Sequence, residues 1–555
     1  MADRNELVFV PLGGVGEIGM NLALYGYGPA SRREWIIVDC GVTFPTPELP
    51  GVDLVLPDTR FIEENLSTLR GMVITHAHED HYGAVLDTWP RLGGVPVWMT
   101  PFTAGLLAAK RASEPGAPQV PVKIYNSGQR FTVGPFEIEA VAVNHSIPEP
   151  VSLAITSPAG TVVHTGDWKI DPGPTIGPLI DEARFRAIGD KGVLALVCDS
   201  TNALREGESP SEEAVAKSLA KLIGEAPGRV AVTTFSSNVG RIRSVAEAAR
   251  DAGRKVMVMG RSLKRVIDVA TELGYLEGLP EFMDEDEYGV TPRAELVILC
   301  TGSQGEPRAA LAKLARDEFK NVSLAKGDTV IFSSRVIPGN EKAILSIKNG
   351  LIDQGVRIIE DSDALVHVSG HPRRTELRRM YEWLRPRIAV PVHGEAAHLV
   401  AHAELAKEAG VADVPRVRDG DMVRLSPGKA EVIDQVPFGR VYKDGKLIGG
   451  DEAVGIKERR KLSFAGHVVV NVVLDDGYEM AGDPDLVAVG LPKQDAAGEN
   501  FEELLIDAAI GAIDSIPRQR RRDLDLVSDA ARRAVRAAAN EAWGKKPLVT
   551  VFVTR

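Results

Sequence analysis

The chain has 555 residues, enough for about three or four domains of ordinary size. Hydrophobic residues make up 44% and charged residues 26%, which excludes a disordered, collagen-like or coiled-coil chain. The 77 acidic and 65 basic side chains give a net charge of −12, so a uniformly basic surface for nucleic acid is excluded, whereas local basic patches are not. The three cysteines, Cys40, Cys198 and Cys300, are too few for a disulfide framework or a cysteine-based zinc site.

No targeting or membrane segment is evident. The opening residues, MADRNELVFVPLGG, lack the basic and apolar regions of a signal peptide. The longest apolar runs are far shorter than the ~20 residues of a membrane span. With isolated cysteines in apolar runs, these features predict a cytoplasmic protein without a membrane partner.

Up to about residue 180 the chain alternates short apolar runs with turn signals, which predicts strands and few long helices. The runs are Glu6–Val10, Trp35–Val38, Met72–Thr75, Val95–Met99, Phe136–Val143, Ser152–Ile155 and Thr161–His164. From about residue 190 the pattern becomes strand, loop, helix, which predicts α/β units with mainly parallel strands. The strands predicted there are Val193–Cys198, Arg229–Phe235, Lys255–Met259, Glu295–Cys300, Thr329–Phe332, Ala364–Val368 and Ile388–Val392.

A polar stretch around Gly449–Lys461 is typical of a linker and precedes a separate small unit. The elements predicted for that unit are strands at His467–Leu474 and Leu486–Val489, helices at Glu502–Ala512 and Asp523–Trp543, and a last strand at Pro547–Val553.

Four candidate metal ligands directly follow the strand predicted at Met72–Thr75. They form an H-x-H-x-D-H motif of His76, His78, Asp80 and His81. Side chains so close in sequence converge from a loop at a strand end, whereas neither a strand nor a helix would point all four one way. Histidine with aspartate suits zinc or manganese, and the ligand density predicts two ions. A polar loop or a helix cap is the alternative.

Further histidine and aspartate residues fall at the ends of predicted strands. His145 and Asp167 do so in the first part of the chain, and His371 and His393 each end an apolar run that precedes a helix. One such residue alone is more often an ordinary loop residue. Several together predict one shared site at the strand ends.

Three glycines fit the G-x-G-x-x-G pattern of a dinucleotide-binding turn, namely Gly14, Gly16 and Gly19. In such a turn the glycines open a helix, whereas the Met20–Tyr25 segment that follows is typical of a strand. The glycines therefore predict a tight hairpin close to the site.

These motifs carry a resemblance to a known family. In chain order, the residues that resemble the metallo-β-lactamase fold are Asp39, His76, His78, Asp80, His81, His145 and Asp167. Asp199, His371 and His393 resemble its nucleic-acid-processing β-CASP branch. The segments that resemble ribonuclease J are PLGGVGEIGMN, HSIPEP, TGDWKID, TFSSN, TGSQGEP, SSRVIPGNE and HVSGH, in order from about residue 6 to 425.

The resemblance implies an α/β fold: a metallo-β-lactamase αββα sandwich with an inserted β-CASP α/β domain and a small α/β C-terminal domain. The implied boundaries are 1–200 and 356–425 for the two parts of the metallo-β-lactamase domain, 201–355 for the insertion, 426–460 for a linker and 461–555 for the C-terminal domain.

The resemblance also implies two divalent ions, zinc with manganese or magnesium as alternatives. The implied ligands are His76, His78 and His145 for one ion, Asp80, His81 and His393 for the other, and Asp167 as a bridge. Asp39 would orient a histidine or the water, with a buried turn carboxylate as its alternative reading.

Four residues are implied to serve catalysis: His371, Asp199, Asp80 and Asp39. His371 is expected to act as general acid or to stabilise the leaving 3′ oxygen, and Asp199 to orient it. A cap for the loop after Asp199 is the alternative for that carboxylate.

Two turns rich in small hydroxyl residues and glycine join a predicted strand to a helix, where backbone N–H groups are free to bind an anion. The resemblance implies a pocket there for a terminal 5′-phosphate. Its residues are Ser236, Ser237, Asn238, His367, Val368, Ser369, Gly370 and His371. Helix capping is the alternative for the first turn. Gly240-Arg241 departs from the family pattern there, which puts side-chain detail of the pocket in question.

The resemblance implies single-stranded RNA with a 5′-monophosphate as the substrate, because His393 is typical of the RNA-acting members. The implied activity combines 5′-to-3′ exonuclease and endonuclease action in RNA processing and decay. The C-terminal unit implies a homodimer, with a tetramer as alternative. A structural calcium ion at Asp53 and Asp444 is a further expectation.

Basic residues form patches in the insertion, after the HVSGH turn and in the C-terminal unit. Any one such run is more typical of a solvated face, and a narrow backbone-tracking channel is the alternative for the runs that flank the pocket. Two other functions compete. A hydrolase of small thioesters or lactams would lack the insertion, and a non-catalytic RNA-binding scaffold would tolerate lost ligands, of which none is missing here.

Overall fold

The computed structural model describes residues 4–555 and divides the chain into two compact units. The first comprises residues up to Thr43 together with Leu56–Arg440, and the second comprises Phe44–Val55 and Val441–Arg555. Within the described residues, no helix combines the length and the apolar character that crossing a bilayer requires.

The centre of the first unit is a pair of sheets. In spatial order the eight-stranded sheet contains Glu431–Gln435, Asp421–Ser426, Glu6–Gly13, Leu22–Gly28, Glu34–Val38, Leu69–Val73, Val97–Met99 and Val122–Ile124. The six-stranded sheet contains Ile388–Val392, Ala195–Asp199, Gly160–His164, Val151–Ser157, Phe136–Ala142 and Arg130–Val133. Alternate apolar side chains of both, such as Phe9, Ile36, Leu153 and Val197, fill one buried core between them.

Helices cover the outer face of the six-stranded sheet. Phe185, Leu377 and Leu405 come from three of them and pack with Val163 and Leu196 of the sheet. The α-helices of the pair of sheets are Arg60–Glu63, Glu79–Tyr82, Val85–Thr88, Pro101–Ser113, Glu182–Lys191, Arg374–Leu384 and Ala396–Glu408. The layered α/β sandwich that the sequence predicts is therefore confirmed. The 13-residue helix Pro101–Ser113 is an exception to the expectation of few long helices before residue 180.

A third sheet of five parallel strands carries its own core within the first unit. Its strands, in spatial order, are Lys255–Met259, Leu296–Cys300, Val230–Thr233, Thr329–Phe332 and Arg357–Ile359. Its α-helices are Glu212–Glu225, Val239–Asp251, Arg261–Glu272, Ala310–Ala315 and Glu341–Asp353. This is the inserted α/β domain that the sequence predicts between the two parts of the sandwich.

One predicted strand of this region is wrong. The Ala364–Val368 segment has an irregular backbone and does not pair with a neighbouring strand. Its Val366 carbonyl accepts hydrogen bonds from Arg241 Nη1 at 2.9 Å and Ser333 Oγ at 2.7 Å, so side chains satisfy the backbone that a neighbouring strand would otherwise pair.

The second unit contains the C-terminal α/β fold. Its sheet orders Asp485–Val489, His467–Val473 and Leu548–Thr554, and the helices Phe501–Asp514 and Leu524–Trp543 bury their apolar faces against it. These elements agree with the sequence prediction to within a few residues. The predicted linker is structured instead: it contains the strands Glu431–Gln435, Arg440–Asp444 and Leu447–Gly449, and the helix Ile456–Ala465 begins in it.

Candidate metal centre

The predicted ligands meet where strands of the two central sheets end. The H-x-H-x-D-H segment follows strand Leu69–Val73 and runs into helix Glu79–Tyr82. Asp167 follows strand Gly160–His164, and His393 follows Ile388–Val392. Chain segments separated by more than three hundred residues thus deliver side chains to one point, as carboxyl ends of neighbouring strands do.

One group of donors consists of His76, His78, His145 and Asp167. Their ligand atoms all lie within 4.8 Å of one another. His78 Nδ1 is 3.2 Å from His76 Nε2 and 2.9 Å from His145 Nε2. Asp167 Oδ2 lies 3.8 Å from His76 Nε2 and 3.6 Å from His145 Nε2.

A second group consists of Asp80, His81, His393 and Asp167, again within 4.8 Å. Asp167 Oδ2 is 3.2 Å from His81 Nε2, and Asp167 Oδ1 is 3.4 Å from His393 Nδ1. Asp80 Oδ2 lies 3.2 Å from His393 Nε2. Asp167 therefore belongs to both groups.

Hydrogen bonds on the far side of each ring fix which nitrogen faces the centre. His145 Nδ1 donates to the Gly370 carbonyl at 2.7 Å, and His81 Nδ1 donates to Asp39 Oδ2 at 2.7 Å. Thr75 Oγ1 donates to Asp39 at 2.9 Å and so accepts from His76 Nδ1 at 3.0 Å. In His76 and His145 this leaves Nε2 without a proton and directed inward, the form in which imidazole binds a metal. In His81 the same arrangement directs Nε2 inward.

These donors fit a divalent cation. The nitrogen lone pairs of His76, His78 and His145 face one another at hydrogen-bond distance, although at most one proton can lie between any two of them. Asp167 Oδ1 is buried and has no hydrogen-bond partner. A cation between the groups would satisfy both the lone pairs and the orphaned oxygen, and imidazole with carboxylate is a donor set that zinc and manganese accept.

Electrostatics keep the three histidines of the first group neutral. Burial lowers the pKa of His78 to about 4. Burial, reinforced by neighbouring imidazoles, lowers the pKa of His76 and of His145 well below the ordinary histidine value. Neutral imidazole is the ligand form, so the fold stabilises the state that metal binding needs.

The second group is dominated by its carboxylates. Burial alone would lower the pKa of His393, but Asp167 and the neighbouring carboxylates raise it to about 10. The same balance raises the pKa of His81 well above its usual range. In return the nearby imidazoles hold the pKa of Asp80 and of Asp167 below the ordinary aspartate value, so both carboxylates stay ionised.

His371 and Asp199 lie beside these groups. His371 Nδ1 is 2.8 Å from Asp199 Oδ2 and 3.9 Å from Asp167 Oδ2. Burial disfavours a charged ring, but Asp199 prevails and raises the pKa of His371. Asp199 Oδ1 also accepts a hydrogen bond from the Thr201 backbone N–H at 2.8 Å. Asp199 therefore caps the turn with Oδ1, as the alternative reading expects, and pairs with His371 through Oδ2.

The two turns predicted to bind phosphate meet next to the metal centre. The Phe235 and His367 rings lie 6.5 Å apart, and Gly370 is bonded to His145. His367 Nδ1 is buried without a hydrogen-bond partner. Asn238 Oδ1 accepts from the Arg241 backbone N–H at 2.9 Å and caps helix Val239–Asp251. The structure thus gives Asn238 the capping role and leaves Ser236 and Ser237 half-buried at the mouth of the turn.

A cavity of about 260 Å³ adjoins this junction. Asn144, Ser146 and Glu149 line it from one side, and Asn238 and Tyr275 line it from the inserted domain. It is therefore bounded both by the loop that carries His145 and by the first phosphate turn.

Sequence reasoning missed several residues that hold the centre. Thr201 Oγ1 lies 2.9 Å from His393 Nδ1, and Asn21 Nδ2 lies 3.0 Å from His81 Nε2. Ser200 Oγ is 2.8 Å from His402 Nδ1, whose Nε2 is 2.9 Å from the Tyr381 hydroxyl. Of these residues, only His402 gave a signal in the sequence, because the chain has only eleven histidines, and the structure buries it fully.

The residues of the expected calcium site belong to the second unit and have protein partners. Asp444 is ion-paired with Arg459, and Asp53 Oδ2 accepts from the Gly445 backbone N–H at 2.7 Å. The calcium site stays a prediction.

Four family profiles match the chain. They are described as a β-lactamase superfamily domain over residues 34–189, a ribonuclease J β-CASP domain over 227–351, a Zn-dependent metallo-hydrolase RNA specificity domain over 356–415 and a ribonuclease J C-terminal domain over 454–555. A solved protein of unknown function from Enterococcus faecalis shares the fold, with a TM-score of 0.53 and 16% identity over 76% of this chain and 100% of its own.

Relatives named ribonuclease J match almost the whole length. The protein of Sinorhizobium meliloti is 65% identical over 100% of this chain and 98% of its own. That of Mycolicibacterium smegmatis is 38% identical over 98% of this chain and 96% of its own, and that of Thermus thermophilus is 34% identical over 99% and 95%. Together with the converging histidines and aspartates, these matches establish that the chain belongs to the ribonuclease J family.

Proposed function

We propose that this chain, a metal-dependent ribonuclease, removes nucleotides from single-stranded RNA in the 5′-to-3′ direction, prefers a 5′-monophosphate end and also cleaves internally. The observation that carries the proposal is the contact between the second phosphate turn and the metal centre. Gly370, within the HVSGH turn, accepts the hydrogen bond of His145 at 2.7 Å. A terminal 5′-phosphate bound at that turn would lie a short, fixed distance from the scissile bond. An exonuclease that releases one nucleotide at a time from the 5′ end requires such a distance.

The two donor groups would hold two zinc ions, with manganese or magnesium as alternatives. Asp167 contributes to both groups and would bridge them. Lewis acidity at such a site lowers the pKa of an attacking water and offsets negative charge on the phosphate. Asp39 serves indirectly: its carboxylate binds His81 Nδ1 and Thr75, and so keeps two of the rings oriented.

His371 is proposed as the proton donor to the leaving 3′ oxygen. Its Nδ1 is held by Asp199, which leaves Nε2 as the nitrogen that faces a substrate. Although burial disfavours a charged ring, Asp199 raises the pKa of His371, which favours the protonated form that a proton donor needs. Its ring centroid lies 5.1 Å from that of His145 and 5.5 Å from that of His393, close enough to reach the same phosphodiester.

The proposed pocket for the terminal phosphate lies between the TFSSN and HVSGH turns. Support comes from polar groups that lack partners: Thr234 Oγ1 and His367 Nδ1 are buried without hydrogen bonds. Buried donors of this kind are costly unless a ligand satisfies them. The free hydroxyl groups of Ser236 and Ser237 lie on the same turn at the N-terminus of helix Val239–Asp251, where an anion is favoured.

The test compares RNA of one sequence carrying a 5′-monophosphate, a 5′-triphosphate or a 5′-hydroxyl. With zinc or manganese present, mononucleotides should be released fastest from the monophosphate, because the proposed pocket would bind a single terminal phosphate. Internal cleavage should persist on the other two. Absence of RNA cleavage with either metal would overturn the proposal, and equal rates on all three ends would overturn the phosphate pocket.

We also propose a homodimer formed through the C-terminal sheet. The face of that sheet opposite its helices is apolar yet exposed: Val487 is 59%, Val489 64% and Phe552 56% exposed. Such a face is typical of a partner surface. Phe552→Glu should convert the dimer to a monomer in light scattering. A cytoplasmic location is proposed with it, because the three cysteines are buried thiols without disulfides.

A further inference from the structure

Three arginines beside the proposed phosphate pocket have no acidic partner. Among residues 4–555, no carboxylate lies within 4.0 Å of the guanidinium groups of Arg205, Arg335 or Arg373. Arg205 and Arg335 are exposed and Arg373 is half-buried. In a chain with 77 acidic and 65 basic side chains, unpaired arginines in one place are unexpected.

Neighbouring arginines show the ordinary arrangement. Arg374 Nε is 2.7 Å from Glu206, and Arg379 Nη2 is 2.6 Å from Glu208. The two glutamates lie one and three positions after Arg205, yet they pair with arginines of helix Arg374–Leu384 instead. Acidic partners are therefore available locally, and Arg205 is left without one.

The unpaired guanidinium groups lie next to the pocket. Arg335 Nη1 is 3.4 Å from Asn202 Oδ1, and Asn202 Nδ2 donates to Ser369 Oγ at 2.9 Å and to the His371 carbonyl at 3.1 Å. The Arg205 carbonyl accepts from the Arg374 backbone N–H at 3.0 Å, which joins the loop of Arg205 to the end of the HVSGH turn. A single side chain, Asn202, thus lies between Arg335 and two residues of the proposed site, Ser369 of the phosphate pocket and the proton donor His371.

The three charges also act on one another. Partial burial and then the charge of Arg373 lower the pKa of Arg205, while burial and then Arg205 lower the pKa of Arg335. Asp361 is the one acid that opposes these shifts, and it does so without an ion pair. The fold therefore holds like charges together at a cost that an external anion would offset.

We propose that Arg205, Arg335 and Arg373 form a binding site for phosphate groups of the RNA strand, continuous with the pocket formed by the HVSGH turn. The proposal rests on the ribonuclease function proposed above and adds three arginines to the residues assigned there to the phosphate pocket. Arginine suits this task because its planar donors match phosphate oxygens. Backbone phosphates and a terminal 5′-phosphate share this chemistry, and the experiment separates them.

The test measures kcat and KM of the metal-loaded enzyme over a series of KCl concentrations. The variants are Arg205→Gln, Arg335→Gln, Arg373→Gln and the triple variant, with Arg379→Gln as a control whose charge is already paired. Each single change should raise KM for RNA about tenfold with little change in kcat, because the metal centre is untouched. The triple variant should reduce the slope of log kcat/KM against log salt by about two, since single strands release ~0.7 counterion per phosphate contact.

Two arms identify the phosphate. An equal loss on 5′-monophosphate and 5′-hydroxyl RNA assigns the site to the backbone, and a loss confined to the monophosphate assigns it to the terminal group. Hydrolysis of bis(p-nitrophenyl) phosphate, which has no strand, should be unchanged in every variant and shows that the fold is intact. Unchanged KM and salt slope in the triple variant would overturn the inference while leaving the ribonuclease proposal in place. A wild-type enzyme that fails to cleave RNA would instead overturn the latter.

Discussion

The metal centre and the arginine cluster beside it handle charge in opposite ways. At the metal centre each charged group faces a partner: Asp39 holds His81 at 2.7 Å, and Asp199 holds His371 at 2.8 Å. In the arginine cluster, which consists of Arg205, Arg335 and Arg373, positive charges lie near one another instead. The two regions are linked by the HVSGH turn, yet only at the metal centre do groups of opposite charge pair within the protein.

This difference indicates what each region binds. The metal centre has carboxylates and inward-facing nitrogen lone pairs, which lack only cations. The arginine cluster has donors and positive charge, which lack an anion. A substrate phosphodiester between them would meet cations on one side and arginine on the other, so the chain's acidic total is no obstacle to binding RNA.

The largest expected effect comes from removing the residue common to both metal groups. Asp167→Asn should abolish RNA hydrolysis, by about a thousandfold or more, because it removes a carboxylate charge from each group at once. Metal content by plasma mass spectrometry should fall in parallel. Asp190→Asn, which affects only an exposed pair with Arg385, is the matched control. An Asp167→Asn protein that keeps both metals would contradict the assigned bridge.

Next in size is His371→Ala, which separates proton transfer from metal binding. We expect kcat to fall about 10²–10⁴-fold with metal content unchanged, because His371 belongs to neither of the two ligand groups proposed for the ions. His393→Ala should lose metal as well as activity. The donor atoms of Asp167, Asp199, His371 and His393 nevertheless lie within 4.8 Å. Loss of metal from His371→Ala would therefore reassign His371 from proton donor to ligand.

The sequence predicted the metal centre better than its surroundings, for a physical reason. Six consecutive residues carry four of its ligands, and the others end strands, so local pattern and strand polarity locate them. Thr201 and Asn202 contact residues 192 and 167 positions further along the chain, beyond the inserted domain, and nothing in their local sequence marks the contact. Val366 illustrates the same limit in the fold, since side chains replaced the ladder that its apolar run predicted.

A smaller effect should come from the glycine that links the two regions. A Cβ at Gly370 would lie 2.5 Å from His145 Nδ1 and 2.9 Å from Ser146 Oγ, so Gly370→Ala must displace the ring that this backbone carbonyl orients. Metal affinity should fall about 10–100-fold, measured by competition with a chelating dye. Gly224→Ala, in a helix with open space around it, should leave affinity unchanged. Equal affinities in both variants would show that the turn and the metal centre are independent.

The smallest effect concerns Asp419, a carboxylate that lacks its own cation just as the arginines lack an anion. Its Oδ1 accepts from the Val15 backbone N–H at 3.2 Å, beside the Gly14 carbonyl that accepts from the His393 N–H at 2.6 Å. Burial, and then the charge of Glu17, raise the pKa of Asp419 to about 8. The nearby Arg440 forms its ion pair with Glu17 instead, with Nη2 at 2.7 Å from Glu17 Oε2.

The sign of the pH dependence follows from that shift. Between the unfolded pKa of ~3.9 and about 8, the folded chain binds the extra proton, so the free energy of unfolding falls as pH rises through this range and is level above it. Asp419→Asn keeps the acceptor and removes the charge. It should therefore leave the unfolding temperature unchanged near pH 4 and raise the free energy of unfolding by at least ~1 kcal/mol at pH 8. An equal change at both pH values would mean that Asp419 acts through packing rather than through its charge.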